Sequence, residues 1–137
     1  MSTQLTLSPE TIQTLVQQYF AATRSADKVE SMVACFAENT TSYDPVGGPA
    51  LHGHAGLRQF FQGIADLFAE VELTEDFISI NGNEAAVKWT GRGVGKNGRA
   101  VTFEGIDLFE FNAQGKIQSL RAYWNPGAML AELLEVA

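Results

Sequence analysis

The stretch that decides the fold is Ala100–Phe111, which reads AVTFEGIDLFEF. Taken as a β-strand, its side chains alternate between two faces with a period of two. One face is apolar except at one position and carries Val101, Phe103, Gly105, Asp107, Phe109 and Phe111. Because an unpartnered carboxylate in an apolar row costs several kcal/mol, we expect Asp107 to be paired, protonated or used in chemistry.

Strand patterns separated by turn signals lie on both sides of this stretch. Asn81-Gly82 is typical of a hairpin, and two further glycine-containing turns follow it. Alternation in the last strand places Ile117 and Arg121 on the face opposite Leu120. The turns predict a meander of strands at residues 71–80, 85–94, 100–111 and 116–124.

Three stretches before the strands have apolar residues at helical spacing. Ser8 and Pro9 predict the start of the first helix, and Tyr19 lies in its apolar row. Asp27 and Glu30 have the spacing of a capping box for the second helix. A third helix follows two histidines, and a short C-terminal helix follows the last strand.

This order of elements predicts the fold class. Helices followed by an antiparallel meander indicate an α+β fold in which the helices cover one face of a curved sheet. Such a sheet tends to form a cone with one apolar, ligand-sized mouth. The length of 137 residues predicts a single domain, 1–137, with one core.

Composition excludes several classes of function. A net charge of −7 makes nucleic acid and anionic membrane poor partners, since both require a basic face. No basic leader or long apolar run is visible, so the expected location is cytoplasmic. Cys35 is the single cysteine and is expected to be a small buried side chain. With His52 and His54 as the two histidines, a metal centre is not expected.

Several polar residues have a structural interpretation beside a functional one. Asp44 ends a short strand before the turn sequence PVGGP, where an aspartate commonly caps its own backbone. Tyr19 is typical of a core tyrosine whose hydroxyl reaches an acceptor. His52 and His54 fit a helix entrance better than a catalytic base.

Three motifs resemble the ketosteroid isomerases, which belong to the nuclear transport factor 2-like or SnoaL-like superfamily. They are QQYFAA around Tyr19, SYDPVGGPALHG around Asp44 and GIDLFEFNAQGKIQSLRAYW around Asp107. The resemblance covers nearly the whole chain and implies a cystatin-like cone, a curved antiparallel sheet wrapped around three N-terminal helices. It also implies a homodimer formed through the sheet and chemistry without a cofactor or metal.

The resemblance implies a role for each of the three residues. Asp44, at a strand end and partly solvated, is the expected general base that moves a proton next to a carbonyl. Tyr19 and a protonated Asp107 are the expected hydrogen-bond donors to the carbonyl oxygen, and a carboxylic acid kept neutral by an apolar site is the known arrangement in this family. Phe36 and Phe61 stand where some members have supporting tyrosines. The expected apolar wall of the substrate pocket consists of Val46, Phe60, Trp89, Phe103, Leu120, Ala122 and Trp124.

Three functions remain open from the sequence. The leading hypothesis is a steroid Δ-isomerase-like enzyme that shifts a C=C bond in an enone, with a small hydrophobic, steroid-like or polycyclic ligand as its substrate. The second is a SnoaL-like polyketide cyclase or another small-molecule isomerase or lyase. The third is a non-catalytic module for a hydrophobic ligand or a protein partner, in which Asp107 is a structural acid with an ordinary pKa.

Overall fold

The structure is a computed structural model, and it describes residues 6–135. Within this range the predicted helices and strands occur in the predicted order, and there is one further short strand, before the third helix, that the sequence did not predict. The helices are α1 (Pro9–Thr23), α2 (Lys28–Val33), α3 (Gly53–Ala65) and α4 (Pro126–Leu134). The strands are β1 (Thr41–Tyr43), β2 (Ala50–His52), β3 (Phe68–Asn81), β4 (Glu84–Gly95), β5 (Ala100–Phe111) and β6 (Ile117–Tyr123). The α+β class with a short C-terminal helix is confirmed.

The six strands form one sheet in the order β2-β1-β6-β5-β4-β3. Long antiparallel hairpins join β3 to β4, β4 to β5 and β5 to β6. The exception is β1, which runs parallel to β6 through the pair Tyr43↔Arg121. The prediction of an antiparallel sheet is wrong at this pair, because a hairpin turn sets the direction of β6 but no turn connects it to β1.

The core lies between the helices and one face of the sheet. Strand β5 follows the predicted alternation, with Val101, Gly105, Asp107, Phe109 and Phe111 buried. Of these, Phe109 and Phe111 share the main core cluster with the buried apolar row of α1. The buried face of α4 belongs to a second, smaller cluster, which includes Val101 and Phe103 of β5 and Trp124, just after β6.

Local signals are confirmed in part. The Ser8 side chain accepts a hydrogen bond from the Thr11 backbone amide at 3.1 Å and caps α1 as predicted. The capping box at α2 is wrong, because Asp27 makes no capping bond and Glu30 instead binds Arg58 at 2.7 Å. Helix α2 has six residues, which is less than two turns.

Strand β6 departs from strict alternation. A register shift against β5 lies between Glu110 and Phe111, and it turns Ile117 into the core, where it is fully buried. The prediction that Ile117 shares a face with Arg121 is therefore wrong, since a β-bulge changes the face of every residue before it. Within residues 6–135, none of the helices is long and apolar enough to span a membrane.

Candidate active site

One cavity opens between the helices and the concave face of the sheet. The empty space in this cavity is about 620 Å³, a volume that includes the part open to solvent at the mouth. Tyr19 from α1, Asp44 from the end of β1 and Asp107 from β5 all line it. Most of the remaining lining is apolar, so water in the cavity has few polar partners. Residues far apart in the chain thus bring one hydroxyl and two carboxyl groups to a single apolar cavity.

The predicted apolar wall is divided by the structure. Four of its members line the cavity, namely Phe60, Trp89, Phe103 and Trp124. The other three lie elsewhere. Leu120 and Ala122 are buried in the core of the sheet, and Val46 is exposed in the turn after β1.

Asp107 is the buried acid of the site. Its residue is 3% exposed, and its Oδ1 accepts a hydrogen bond from Trp89 Nε1 at 2.9 Å. Burial raises the pKa of Asp107 well above its ordinary value, and the nearby charge of Asp44 raises it further. The hydrogen bond from Trp89 lowers this pKa but does not outweigh burial. The raised pKa favours the protonated acid, which is the form that can donate a hydrogen bond.

Asp44 lies at the rim, where β1 ends. It is half-buried, and its Oδ1 accepts a hydrogen bond from Trp124 Nε1 at 2.6 Å. Burial raises the pKa of Asp44 to about 7, against the opposing effect of the bond from Trp124. The expected partial solvation is present, but the carboxyl group titrates near neutrality rather than as an ordinary surface acid.

Tyr19 is held by aromatic rings. Phe20, Phe36 and Phe109 pack edge to face against it, with ring centroids 5.3, 5.9 and 5.3 Å away. Within the described part of the chain the Tyr19 hydroxyl has no hydrogen-bond partner, and no fully enclosed side-chain polar atom is left unpaired. The hydroxyl therefore opens to the cavity. Burial, followed by the charges of Asp107 and Asp44, raises the pKa of Tyr19, so it remains a donor.

The remaining candidate residues lie away from the cavity. The Nε2 atom of His54 is 2.8 Å from the carbonyl oxygen of Phe36, and His52 is exposed at the end of β2. Cys35 is half-buried rather than buried. No group of three or more histidine, cysteine or acidic side chains in residues 6–135 is arranged to hold a metal ion.

Sequence reasoning missed two features of the cavity. The first is the hydrogen-bonding role of Trp89 and Trp124, which were predicted only as apolar wall. The sequence signal for this role of Trp89 was Gly105, which is a small residue in an otherwise bulky inward row of β5. In the structure Gly105 is the cross-strand partner of Trp89. The second is a set of polar side chains in the lining, for which the sequence pattern contains no signal: Thr23, Lys28 and Glu72.

Comparison with known proteins assigns the chain to a family. The family model described as the SnoaL-like domain matches residues 16–120. The chain belongs to the SnoaL-like family. A steroid Δ-isomerase of Nocardioides simplex is 31% identical to this SnoaL-like protein over 100 residues, which are 73% of this chain and 79% of that protein.

Solved structures agree on the fold. SalBIII, an epoxide hydrolase/cyclase-like enzyme of pyran ring formation in the polyether salinomycin, is 28% identical with a TM-score of 0.76, covering 85% of this chain and 92% of its own. A Catenulispora acidiphila protein with a ketosteroid isomerase-like fold, solved with trimethylamine, is 16% identical with a TM-score of 0.75, covering 92% and 93% of the two chains. The resemblance stated from the motifs is thus confirmed at the level of family and fold.

Proposed function

We propose that this SnoaL-like protein is a steroid Δ-isomerase-like enzyme that moves a C=C bond in a β,γ-unsaturated ketone. The observation that supports this best is the presence of Tyr19, Asp44 and Asp107 in one apolar cavity, where burial raises the pKa of both acids. A base near pKa 7 and two neutral donors are the groups that enolisation of a ketone needs. The similarity to a steroid Δ-isomerase supports the same reaction.

The proposed reaction moves one proton and leaves the redox state of the substrate unchanged. The ketone oxygen accepts hydrogen bonds from the Tyr19 hydroxyl and the Asp107 carboxylic acid. The Asp44 carboxylate removes the proton from the carbon between the carbonyl and the C=C bond, which produces a dienolate. Protonated Asp44 then returns that proton to the far carbon, and the conjugated ketone forms.

The environment of each group fits its proposed step. Asp44 has a pKa of about 7, so near neutrality it is ionised often enough to act and basic enough to take a proton from carbon. Negative charge that develops on the substrate oxygen meets two donors that burial keeps protonated. In an apolar cavity such donors stabilise an oxyanion far more than water does. Flat aromatic walls from Phe103 and Trp124 suit a fused ring system.

The direct test is a spectrophotometric assay for conversion of a β,γ-unsaturated 3-ketosteroid to its conjugated isomer. We expect turnover by the wild-type protein and a loss of about 10²- to 10⁴-fold in Asp44→Asn, because an amide cannot act as a base. Asp66→Asn is the matched control, since Asp66 is an exposed acid that does not line the cavity. Equal turnover by Asp44→Asn and wild type would remove the assignment.

A second candidate function is an epoxide-opening cyclase. Asp44 titrates near neutrality and can act as an acid as well as a base, and Asp107 is a second protonated acid in the same cavity. Such a pair suits protonation of an epoxide oxygen while a hydroxyl group attacks carbon. The similarity to SalBIII supports this alternative. Formation of a cyclic ether from a hydroxy-epoxide, with no activity on the ketosteroid, would favour it.

The proposal includes a homodimer formed through the outer face of the sheet. On that face Phe77, Lys88, Ile106 and Tyr123 are cross-strand neighbours in one row across four strands. The three apolar members are 66%, 45% and 44% exposed. An exposed apolar row of this kind marks a contact surface. Sedimentation should give twice the chain mass for wild type and a monomer for Ile106→Glu, whereas Leu134→Glu, at an exposed apolar position on α4, should stay dimeric.

A further inference from the structure

Trp89 reaches the buried acid from the neighbouring strand. Its cross-strand partner on β5 is Gly105, and Asp107 lies two residues further along the same face. A Cβ atom added at Gly105 would be 2.5 Å from Cζ2 of Trp89, so the indole lies directly across the glycine backbone. This path allows Nε1 to come within 2.9 Å of Asp107 Oδ1.

The indole has little freedom in this place. The rings of Phe103 and Trp124 both pack edge to face against the indole, and each has its centroid 5.9 Å from that of Trp89. The same added Cβ at Gly105 would be 2.8 Å from the Cβ atom of Trp124. Trp89 is itself 2% exposed. The direction of its N–H bond is therefore fixed by packing.

A fixed donor distinguishes the two oxygens of Asp107. Oδ1 must offer a lone pair to Trp89 Nε1, and the carbonyl oxygen of a neutral carboxylic acid is the better acceptor. Oδ2 has no hydrogen-bond partner among residues 6–135, and no enclosed side-chain polar atom in that range is unpaired, so it opens to the cavity. The hydroxyl proton then belongs on Oδ2, where a ligand oxygen can accept it.

We propose that Trp89 is a positioning residue, which holds Oδ1 of the neutral Asp107 as the carbonyl oxygen and thereby aims the Oδ2 hydroxyl at the substrate. This inference rests on the proposed function for its consequence in catalysis. Its structural content, the fixed orientation of one carboxylic acid, is independent of the substrate. The role differs from that of an apolar wall, because it depends on one N–H group and not on the area of the ring.

Trp89→Phe separates the two roles, since it keeps a ring between Phe103 and Trp124 and removes the N–H group. The first measurement is the infrared C=O stretch of the Asp107 carboxylic acid, assigned by difference against Asp107→Asn in ¹³C-labelled protein without substrate. Loss of a hydrogen bond to the carbonyl oxygen should shift this band to higher frequency. Asp66→Asn is the control, because Asp66 is an exposed acid outside the cavity and its replacement should leave the Asp107 band in place.

The second measurement is ketosteroid turnover. In Trp89→Phe we expect kcat to fall about tenfold with little change in KM, because the lost orientation matters most when the oxyanion forms. An Asp107 band that does not move, or a higher KM with unchanged kcat, would overturn the proposal and leave Trp89 as wall alone. Should the wild-type protein lack ketosteroid turnover, the proposed function fails and the infrared band still decides the orientation.

Gly105→Ala provides an independent variant. Its methyl group would be 2.5 Å from the indole and 2.8 Å from the backbone oxygen of Tyr123, so the indole must move and the Asp107 band should shift as in Trp89→Phe while every N–H group is retained. Circular dichroism and the midpoint of urea unfolding establish whether each variant is folded. A folded Gly105→Ala variant with an unchanged band would contradict the packing argument.

Discussion

Asp44 and Asp107 make the same kind of hydrogen bond in two different regions of the sheet. In each, Oδ1 accepts an indole N–H, from Trp124 at 2.6 Å and from Trp89 at 2.9 Å. Asp107 lies in the middle of a long central strand, whereas Asp44 ends a strand of three residues and is half-buried. Burial raises the pKa of Asp44 to about 7 at the rim, and burial followed by the charge of Asp44 raises the pKa of Asp107 well above its ordinary value in the centre. At both positions burial outweighs the indole hydrogen bond, so the environment in the sheet, and not the hydrogen-bond partner, sets the direction of the shift.

Replacement of Asp107 is the sharpest way to test this comparison. Asp107→Leu removes an oxyanion donor and should lower kcat by about 10²- to 10³-fold. Asp107→Asn should retain most of the activity, because an amide N–H group replaces the acid O–H group and its oxygen still accepts from Trp89. Measured together with Asp44→Asn, these variants test whether one acid works protonated and the other ionised. A loss in Asp107→Asn as large as that in Asp44→Asn would contradict the assignment.

The pH dependence of kcat/KM should report the ionisation of Asp44 alone. Since Asp44 must be ionised to act, kcat/KM should be constant above its pKa of about 7 and fall about tenfold for each pH unit below it. Because burial raises the pKa of Asp107 and the proposal gives it the protonated role, we expect no second transition in this range. Steady-state kinetics on the ketosteroid would measure the profile. A flat profile between about pH 5 and pH 8 would exclude Asp44 as the titrating base.

The stability of the folded chain should fall as pH rises, whereas the activity should increase. The pKa of Asp44 is about 7 in the folded chain and ordinary, about 4, in the unfolded chain, so the folded state binds more protons between these values. Its contribution to stability is therefore complete below about pH 4 and is lost as pH rises to about 7. After discounting for partial exposure, Asp44→Asn should be more stable than wild type by about 2 kcal/mol at neutral pH and similar to it near pH 4.

Urea unfolding at both pH values measures this difference, and Asp66→Asn again serves as the control. A stability gain that is the same at both pH values would mean that ionisation of Asp44 is not its cause. Loss of stability in Asp44→Asn at neutral pH would show that the carboxylate, rather than the carboxylic acid, is the form that the fold prefers.

The sequence pattern identified Asp107 as a candidate functional residue but did not distinguish a functional Asp44 from a structural one, and the reason is physical. A charge in an apolar period-two row is a local contradiction, so one strand was sufficient to identify Asp107. Asp44 precedes a proline and a glycine-rich turn, where an aspartate is ordinary. Its burial depends on Trp124, a residue far along the chain, and no local pattern contains that contact. Family resemblance, and not periodicity, drew attention to Asp44.

Other features of the fold were predictable when they depend on neighbours in the chain and unpredictable when they depend on tertiary contacts. The cap at Ser8, the hairpins and the alternation of β5 depend on neighbours in the chain and were predictable. The parallel pair of β1 with β6, the bulge beside Ile117 and the pairing of Glu30 with Arg58 depend on tertiary contacts. The direction of each indole N–H is also a tertiary property, which explains why Trp89 and Trp124 were read only as apolar surface.

The chain contains two tryptophans, and each donates its indole N–H to one acid of the cavity. Tryptophan fluorescence, excited at wavelengths that tyrosine does not absorb, is therefore an optical signal from the candidate site. A neutral carboxylic acid and a carboxylate affect an indole emitter differently, so the emission near neutral pH follows the state of Asp44 through Trp124. Ligand entry, protonation and unfolding can then be followed on the unlabelled protein in one cuvette.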